Sequence, residues 1–331
     1  MNQIIRHDDE SRFDKMIDLE AVRQPGIYLD IPNEEYHNGE GISKSGLWTI
    51  YEKTPAHYKF PADKEETTQT KAIKAFGTAA HTAILEPNEF DKRVMKGPDD
   101  RRGNKWKDKE EEAELDGKLL LVADAFDNVL RIRDALHRDP WINGIITGGK
   151  PVVEASGYFI DPITGELCRV RPDLWREDIG VIVDVKSTES AHPDAFARSA
   201  LNYGYHAQEA FYTDGWNLCL EARRQADIIH RATYEDGDDT NYEVKGAAPG
   251  GVQGFIFIAW EKTSPHAVAV YELPPSIVDE GRAIMRRSLD TYAECKKANH
   301  WPAYADGVQE LRFKRWAYKL TPPPEGMEEA A

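Results

Sequence analysis

Residues 171–186 read RPDLWREDIGVIVDVK, and this run decides the fold. Its second half, Val181 to Lys186, is β-branched and apolar apart from Asp184 and Lys186, which predicts a strand. Successive side chains of a strand point to opposite faces, so Asp184 and Lys186 share one face and Val181, Val183 and Val185 the other. Buried charge is costly unless it is paired or binds an ion, so an Asp beside a Lys on such a strand points to a functional pair. Asp173 closes the preceding strand. The segment from Trp175 to Gly180 is short enough to turn that strand back and bring Asp173 toward Asp184. Two carboxylates held close repel each other, and a divalent cation relieves the repulsion; hard oxygen ligands favour Mg2+ or Mn2+. Taken alone, the spacing also fits an ordinary Asp–Lys cross-strand or surface pair.

Around this run the sequence is rich in strands. Residues 152–160 form one strand, the Asp161-Pro162-Ile163-Thr164-Gly165 turn follows, and residues 167–174 form a second. Downstream, a long helix covers about 193–220 with a break near Gly215. Residues 235–251 are a polar, Gly-rich loop whose acidic run 236–239 reads as solvated. Strands at 255–260 and 267–273 make a hairpin around 262–266, and residues 276–298 are helical. Upstream, residues 26–32 are a short strand closed by Pro32. Ser43 or Ser45 caps a helix through Leu47, Trp48, Ile50 and Tyr51 that ends at Pro55. Residues 61–71 are a loop, 71–86 a helix stopped by Pro87, 97–112 a charged insertion and 122–137 an amphipathic helix. The order predicts an α/β fold with a mixed central sheet flanked by helices and an N-terminal helical segment. The expected organisation is a mobile leader at 1–22 and a single domain over 23–320. That domain has its core at about 72–225 and C-terminal strands and helices at 252–320; residues 321–331 are an expected disordered tail.

Three companions accompany the acidic pair. Gly77 and His81 are four apart on one helix face; glycine there permits close approach of another backbone, and the alternative for His81 is a structural or surface histidine. Leu201, Tyr205, Gln208 and Tyr212 form a helical stripe, which by itself fits a core stripe with one polar member. Glu154, after Val152 and Val153, is either an inward ligand or base, or a solvent-facing residue of an edge strand.

Together these motifs resemble the PD-(D/E)XK nucleases, and within them the RecE-type (exonuclease eight) enzymes of phages and prophages. The order of His81, Glu154, Asp173, Asp184-Val185-Lys186 and Gln208 with Tyr212 is that of the family, and Pro172 precedes the first aspartate. The opening segment also resembles the family, with Tyr36-His37, Gly41-Ile42-Ser43-Lys44-Ser45 and Pro55-Ala56-His57-Tyr58, so the likeness covers roughly residues 26–320. It implies a restriction-endonuclease-like core. It implies a metal held by Asp173, Asp184, His81 and the Val185 carbonyl, with Lys186 beside the attacking water. Glu154 is assigned to a second metal or its water, and Gln208 and Tyr212 to the neighbourhood of the DNA strand. Arg169 and Arg171, alternating with Asp173 on one strand face, are candidate phosphate contacts. Arg101, Arg102 and Lys105, with Lys107 and Trp106, are a second candidate DNA patch, against a plain solvated face. The resemblance further implies Mg2+-dependent, ATP-independent digestion of linear double-stranded DNA from its ends, 5′ to 3′, leaving 3′ single-stranded tails for recombination by annealing. Its expected partners are a RecT-like single-strand annealing protein and further copies of the chain in a ring-shaped homo-oligomer.

The net charge of −16 runs against an evenly basic DNA-binding surface. Binding depends on local potential, so positive charge is expected to gather in a cleft or a ring channel. The three cysteines, Cys168, Cys219 and Cys295, form no CxxC pair, which excludes the usual zinc knuckles and leaves buried reduced thiols as the expectation. No apolar run reaches membrane-span length, and Met1 to Glu20 lacks the apolar stretch of a signal peptide, so a cytoplasmic location is expected. Three other readings stay open: a structure-specific endonuclease on the same fold, an inactive DNA-end-binding protein, and a structural metal-binding domain.

Overall fold

The computed structural model describes residues 23–62, 67–233, 250–305, 307–311 and 313, with 226–233 as helix backbone only. The expected leader at 1–22, the acidic run 236–239 and the tail at 321–331 lie outside the described residues. The N-terminal part holds β1 (Gly26–Tyr28), α1 (Asn33–Asn38), β2 (Ile42–Ser43), α2 (Lys44–Glu52) and α3 (Pro55–Lys59). Then come α4 (Thr68–Leu85), α5 (Phe90–Arg93), β3 (Val94–Lys96), α6 (Asn104–Leu115), β4 (Leu119–Leu121), α7 (Ala123–Arg138) and α8 (Pro140–Thr147). The centre is β5 (Pro151–Val153), β6 (Ser156–Ile160), β7 (Leu167–Val170), β8 (Leu174–Arg176) and β9 (Val181–Thr188). The chain continues through α9 (Pro193–Asn202), α10 (Tyr205–Thr233), β10 (Gly254–Glu261), β11 (Val268–Tyr271) and α11 (Pro275–Ala298).

The central sheet has the order β11-β10-β9-β8-β5 and is mixed: β9 and β10 run parallel, and the other neighbours antiparallel. A parallel pair needs a long crossover, and α9 and α10 supply most of it. A second sheet, β1-β6-β7-β2, is also mixed, and β3 pairs with β4. The period-two alternation of β9 and β10 sorts the core. Val183, Val185, Ile256, Ile258 and Trp260 face the helical layer of α4, α7 and α8. Ile182, Phe255, Phe257 and Ala259 face α9, α10, α11 and the second sheet. Asp184 lies on the Ile182 side. Burial of Ile182, Val183 and Val185 contributes about 1.5–3 kcal/mol each. That holds β9 in register with Asp184 inside, provided the carboxylate is compensated.

Several sequence expectations are corrected here. The strand expected at 152–160 is split: β5 belongs to the central sheet and β6 to the second. The change falls at Glu154, whose φ of 46° is left-handed, and Ala155. The strand expected at 167–174 is likewise split into β7 and β8 around Pro172, which has no N–H to give a ladder. The turn of the β8–β9 hairpin is accordingly shorter than expected, because Trp175 pairs with Ile182 and Arg176 with Val181. The helix break falls at Gly204 (φ 65°), not at Gly215. Gly215 stays helical, and it is glycine for packing, since a Cβ there would lie 2.4 Å from the Phe159 ring. Within the charged insertion, residues 104–115 are helical. α8 was not foreseen, although Asp139 caps it by accepting from the Trp141 and Ile142 amides and Pro140 sits at its first turn. All three cysteines are buried and free. Among the described residues, no helix is long and apolar enough to cross a membrane.

Candidate active site

The strands switch sheets at the place where the acidic residues meet. The Glu154 amide donates to the Asp173 carbonyl at 3.0 Å, which stitches the two switch points together. β8 pairs with β9 as Leu174 to Val183, so Asp173 stands beside Asp184. The Val185 amide donates to Asp173 Oδ2 at 2.7 Å, and His81 Nδ1, from α4, lies 3.8 Å from the same oxygen. Asp184 is 1 % exposed. Its Oδ2 accepts from Gln208 Nε2, and its Oδ1 lies in an ion pair with Lys186 Nζ but has no hydrogen bond of normal geometry.

These residues line one cleft of about 830 Å3 that takes in His81, Glu154, Arg171, Asp173, Asp184, Lys186, Gln208 and Tyr212. The sequence named all eight. Burial, and after it the charge of Asp184, lifts the Asp173 carboxyl to about 6. Burial pulls the Lys186 ammonium down, but the Asp184 and Asp173 carboxylates outweigh it and the net shift is upward. Lys186 is therefore a fixed positive charge at neutral pH. Tyr212 is pushed well above the ordinary phenol value, by burial first and then by Tyr36 and the two aspartates, so its hydroxyl stays neutral.

Gln208 is in place because of the helix break. Gly204 ends α9 in a left-handed conformation, and the Gln208 amide donates to its carbonyl in the first turn of α10. That turn is pressed against α11: a Cβ at Gly281 would lie 2.3 Å from the His206 carbonyl oxygen. The expected stripe is accordingly broken, with Leu201 half-exposed on α9 and Tyr205, Gln208 and Tyr212 on α10.

Other expectations change role. Arg169 is buried on β7, and its guanidinium donates to the carbonyls of His37, Gly39 and Glu40. It fastens the turn after α1, and its guanidinium, like that of Arg171, lies over the Tyr36 ring. Arg171 lines the cleft but lies between strands; it donates to Ser156 Oγ and the Ile31 carbonyl and sits 4.0 Å over the Tyr36 ring. Arg101, Arg102 and Lys105 do not line the cleft. Trp106 is buried, so it offers no free stacking face there. A Cβ at Gly77 would meet nothing within 4 Å; no backbone packs against that glycine, which opens onto the cleft.

The sequence missed Lys44 as a site residue. It lines the cleft beside Ser43 and Ser45, and its ammonium donates to the Tyr203 carbonyl at 2.8 Å. Burial, and then Lys186, lowers it to about 8. Its signals were a place next to a helix cap and membership of the opening segment that resembles the family, and neither gives it a role.

Among the described residues, no three His, Cys, Asp or Glu side chains already form a metal cage. The donors nevertheless fit a divalent cation. Two adjacent buried carboxylates leave negative charge uncompensated, as the raised Asp173 shows, and Asp184 Oδ1 lacks a normal hydrogen bond. Oxygen donors with one imidazole suit a hard or borderline dication.

Comparison with known proteins bears on the family and the fold. A family described as a PDDEXK-like domain of unknown function (DUF3799) matches residues 43–314. A search of curated proteins finds no match. Among solved structures, a Eubacterium rectale protein that bears the name of an exonuclease is 14 % identical, with 88 % of this chain and 99 % of that chain covered and a TM-score of 0.50. A phage related exonuclease from Haemophilus somnus 129PT is 13 % identical, with 81 % and 100 % covered and a TM-score of 0.31. At such identity the first likeness is one of fold.

Proposed function

From the premise that this chain belongs to the PDDEXK-like family DUF3799, we propose that it is a Mg2+-dependent exodeoxyribonuclease acting on the ends of linear double-stranded DNA. PDDEXK nucleases generally use divalent metal ions, and the nuclease fold is shared with the Eubacterium rectale protein. The observation that carries the reading is the meeting of Asp173, Asp184, Lys186 and Gln208 in one cleft with His81 and Glu154. Net charge does not oppose it, because Lys186, Lys44 and Arg171 all stand in this cleft.

Asp173, Asp184 and His81 are the residues to hold a cation, with Glu154 adjacent. A bound dication supplies Lewis acidity, lowering the pKa of a nearby water and offsetting charge on the phosphate. The residues of the chain do the rest. The Val185 amide and Gln208 fix one oxygen of each aspartate, so the carboxylates face the phosphate in a set orientation. Lys186, charged and half-buried at the cleft, stabilises the negative charge that develops on the phosphate oxygens. Its raised pKa makes it a poor general base. Lys44 and Arg171 draw the backbone into the cleft.

Digestion from 5′ to 3′, 3′ tails for annealing, a RecT-like partner, a ring of copies and a cytoplasmic site of action belong to the same proposal through the resemblance of the motifs. The test is a linear duplex labelled at either end, with Mg2+ and no ATP, beside a covalently closed circle, using the wild type and Asp173→Asn. Early release of 5′ label by the wild type, lost in the variant, is the expected result. Cleavage of the closed circle would make the protein an endonuclease. Binding to ends without cleavage in Mg2+ or Mn2+ would make it a binding module. A strictly monomeric yet processive enzyme would remove the ring.

A further inference from the structure

The elbow between α9 and α10 presents an aromatic ring with one face packed on the fold and the other open. Tyr203 is 64 % exposed. One face of its ring stacks on Tyr205, at 5.9 Å between centroids and 28° between planes, and Tyr205 in turn stacks on buried Phe257 at 5.7 Å. The lower tiers of this ladder are core; the top tier opens to solvent. Gly204 sets the position: it has a left-handed φ, and the Trp48 ring lies 2.6 Å from where its Cβ would be. No other residue type fits there, so Trp48 packs directly on the elbow, and the Lys44 bond to the Tyr203 carbonyl holds the neighbouring residue in place.

Two cations bind this ladder to the cleft. Lys186 Nζ lies 5.0 Å from the Tyr205 ring centroid, which places the Tyr203 ring within about 11 Å of the Lys186 ammonium. Lys44 donates to the Tyr203 carbonyl and lies 4.9 Å over the Trp48 ring. An exposed aromatic face beside two ammonium groups is the arrangement that receives a nucleic-acid strand, phosphate on the cations and base on the ring. A strand advances at least the roughly 3.4 Å per nucleotide of a duplex axis, so the ring meets a base within about three nucleotides of a phosphate held at Lys186.

We infer that Tyr203 is a stacking platform for an unpaired base of the strand being cut, close to the scissile phosphate. A base inside a duplex has both faces covered by its neighbours, so only a terminal or opened base can use the platform. Tyr203 is thus a positioning residue that favours locally opened DNA ends without regard to base identity. This inference rests on the nuclease reading above.

The test places 2-aminopurine at each of the last three nucleotides of a linear duplex. It measures fluorescence with Ca2+ in place of Mg2+, and cleavage with Mg2+, for the wild type, Tyr203→Ala, Tyr203→Phe and Tyr203→Trp. A base stacked on an aromatic ring is worth enough binding that its loss raises KM by about five- to a hundredfold. Tyr203→Ala is expected to show that rise with kcat and thermal stability little changed, and to lose the fluorescence change at one of the three positions; Phe and Trp restore both. A Tyr203→Ala protein with wild-type KM and wild-type fluorescence overturns the inference, and so does a Tyr203→Phe protein as weak as Tyr203→Ala, which would make the hydroxyl the active group. Wild-type protein that leaves every DNA end intact defeats the nuclease reading and this inference together. Normal wild-type cleavage with an indifferent Tyr203→Ala defeats this inference alone.

Discussion

Replacing Asp173 by Asn tests the electrostatics of the site with its shape preserved. Asp173 is 18 % exposed at its side chain and is lifted from 3.8 to about 6, by burial first and by Asp184 second. A carboxyl raised on folding stabilises the fold when protonated. That stability is fully present below about 3.8 and is lost as pH rises through about 6. A shift of this size corresponds to roughly 3 kcal/mol, at about 1.36 kcal/mol per pH unit. Without metal, the wild type should therefore lose about two-thirds of that, roughly 2 kcal/mol, between pH 4 and 6 relative to Asp173→Asn, whose amide oxygen can still accept from the Val185 amide. The difference between the two proteins removes the contribution of all other carboxylates. Mg2+ needs both carboxylates ionised and competes with the proton, so its stabilising effect should grow across the same window and be small in the variant. Urea denaturation at half-unit pH steps, with EDTA or with Mg2+, measures both slopes. A wild-type-minus-variant difference that is flat from pH 4 to 6, or Mg2+ stabilisation as large at pH 4.5 as at pH 7.5, would mean that Asp173 is neither raised on folding nor a cation ligand.

Three further outcomes follow from the same geometry. Lys186→Met leaves Asp184 buried without its ion-pair partner and should cost about 3–5 kcal/mol in EDTA; the double change with Asp184→Asn should regain much of that in urea denaturation while remaining inactive. Gly281→Ala forces a methyl into the His206 carbonyl and should cost about 1–3 kcal/mol or more. It should also lower kcat by shifting Gln208 from Asp184, read by calorimetry and end-label release. Glu154→Gly relieves a left-handed φ and should stabilise the fold by up to about 1–2 kcal/mol in thermal unfolding, yet reduce cleavage at limiting Mg2+.

The parts of the fold that were legible are those in which local chemistry and tertiary role agree. β9 and β10 announce themselves because a strand covered on both faces must be apolar throughout. Asp184, Lys186 and Gln208 stood out because each breaks such a run or stripe. The strand splits at Glu154 and Pro172 were hidden, since periodicity does not report which sheet a residue joins; Pro172 was the available warning. Gly204 and Gly215 look alike in sequence and both lie against an aromatic ring, and only the left-handed φ at Gly204 tells them apart. Arg169 was read as a phosphate contact because its three carbonyl partners lie about 130 residues away. Lys44 and Tyr203 were invisible for the same reason: their place beside the cleft is made by long-range packing.

The strand switch has a mechanical meaning. The chain passes from one sheet to the other at Glu154 and returns at Pro172, and one amide-to-carbonyl bond pins the two passages together. The acidic residues thus stand where the two sheets meet over one buried core, to which Phe159 and Val170 of the second sheet and Trp175 and Ile182 of the central sheet all contribute. Neither sheet can turn without disturbing that packing, so the spacing of the carboxylates is held from both sides.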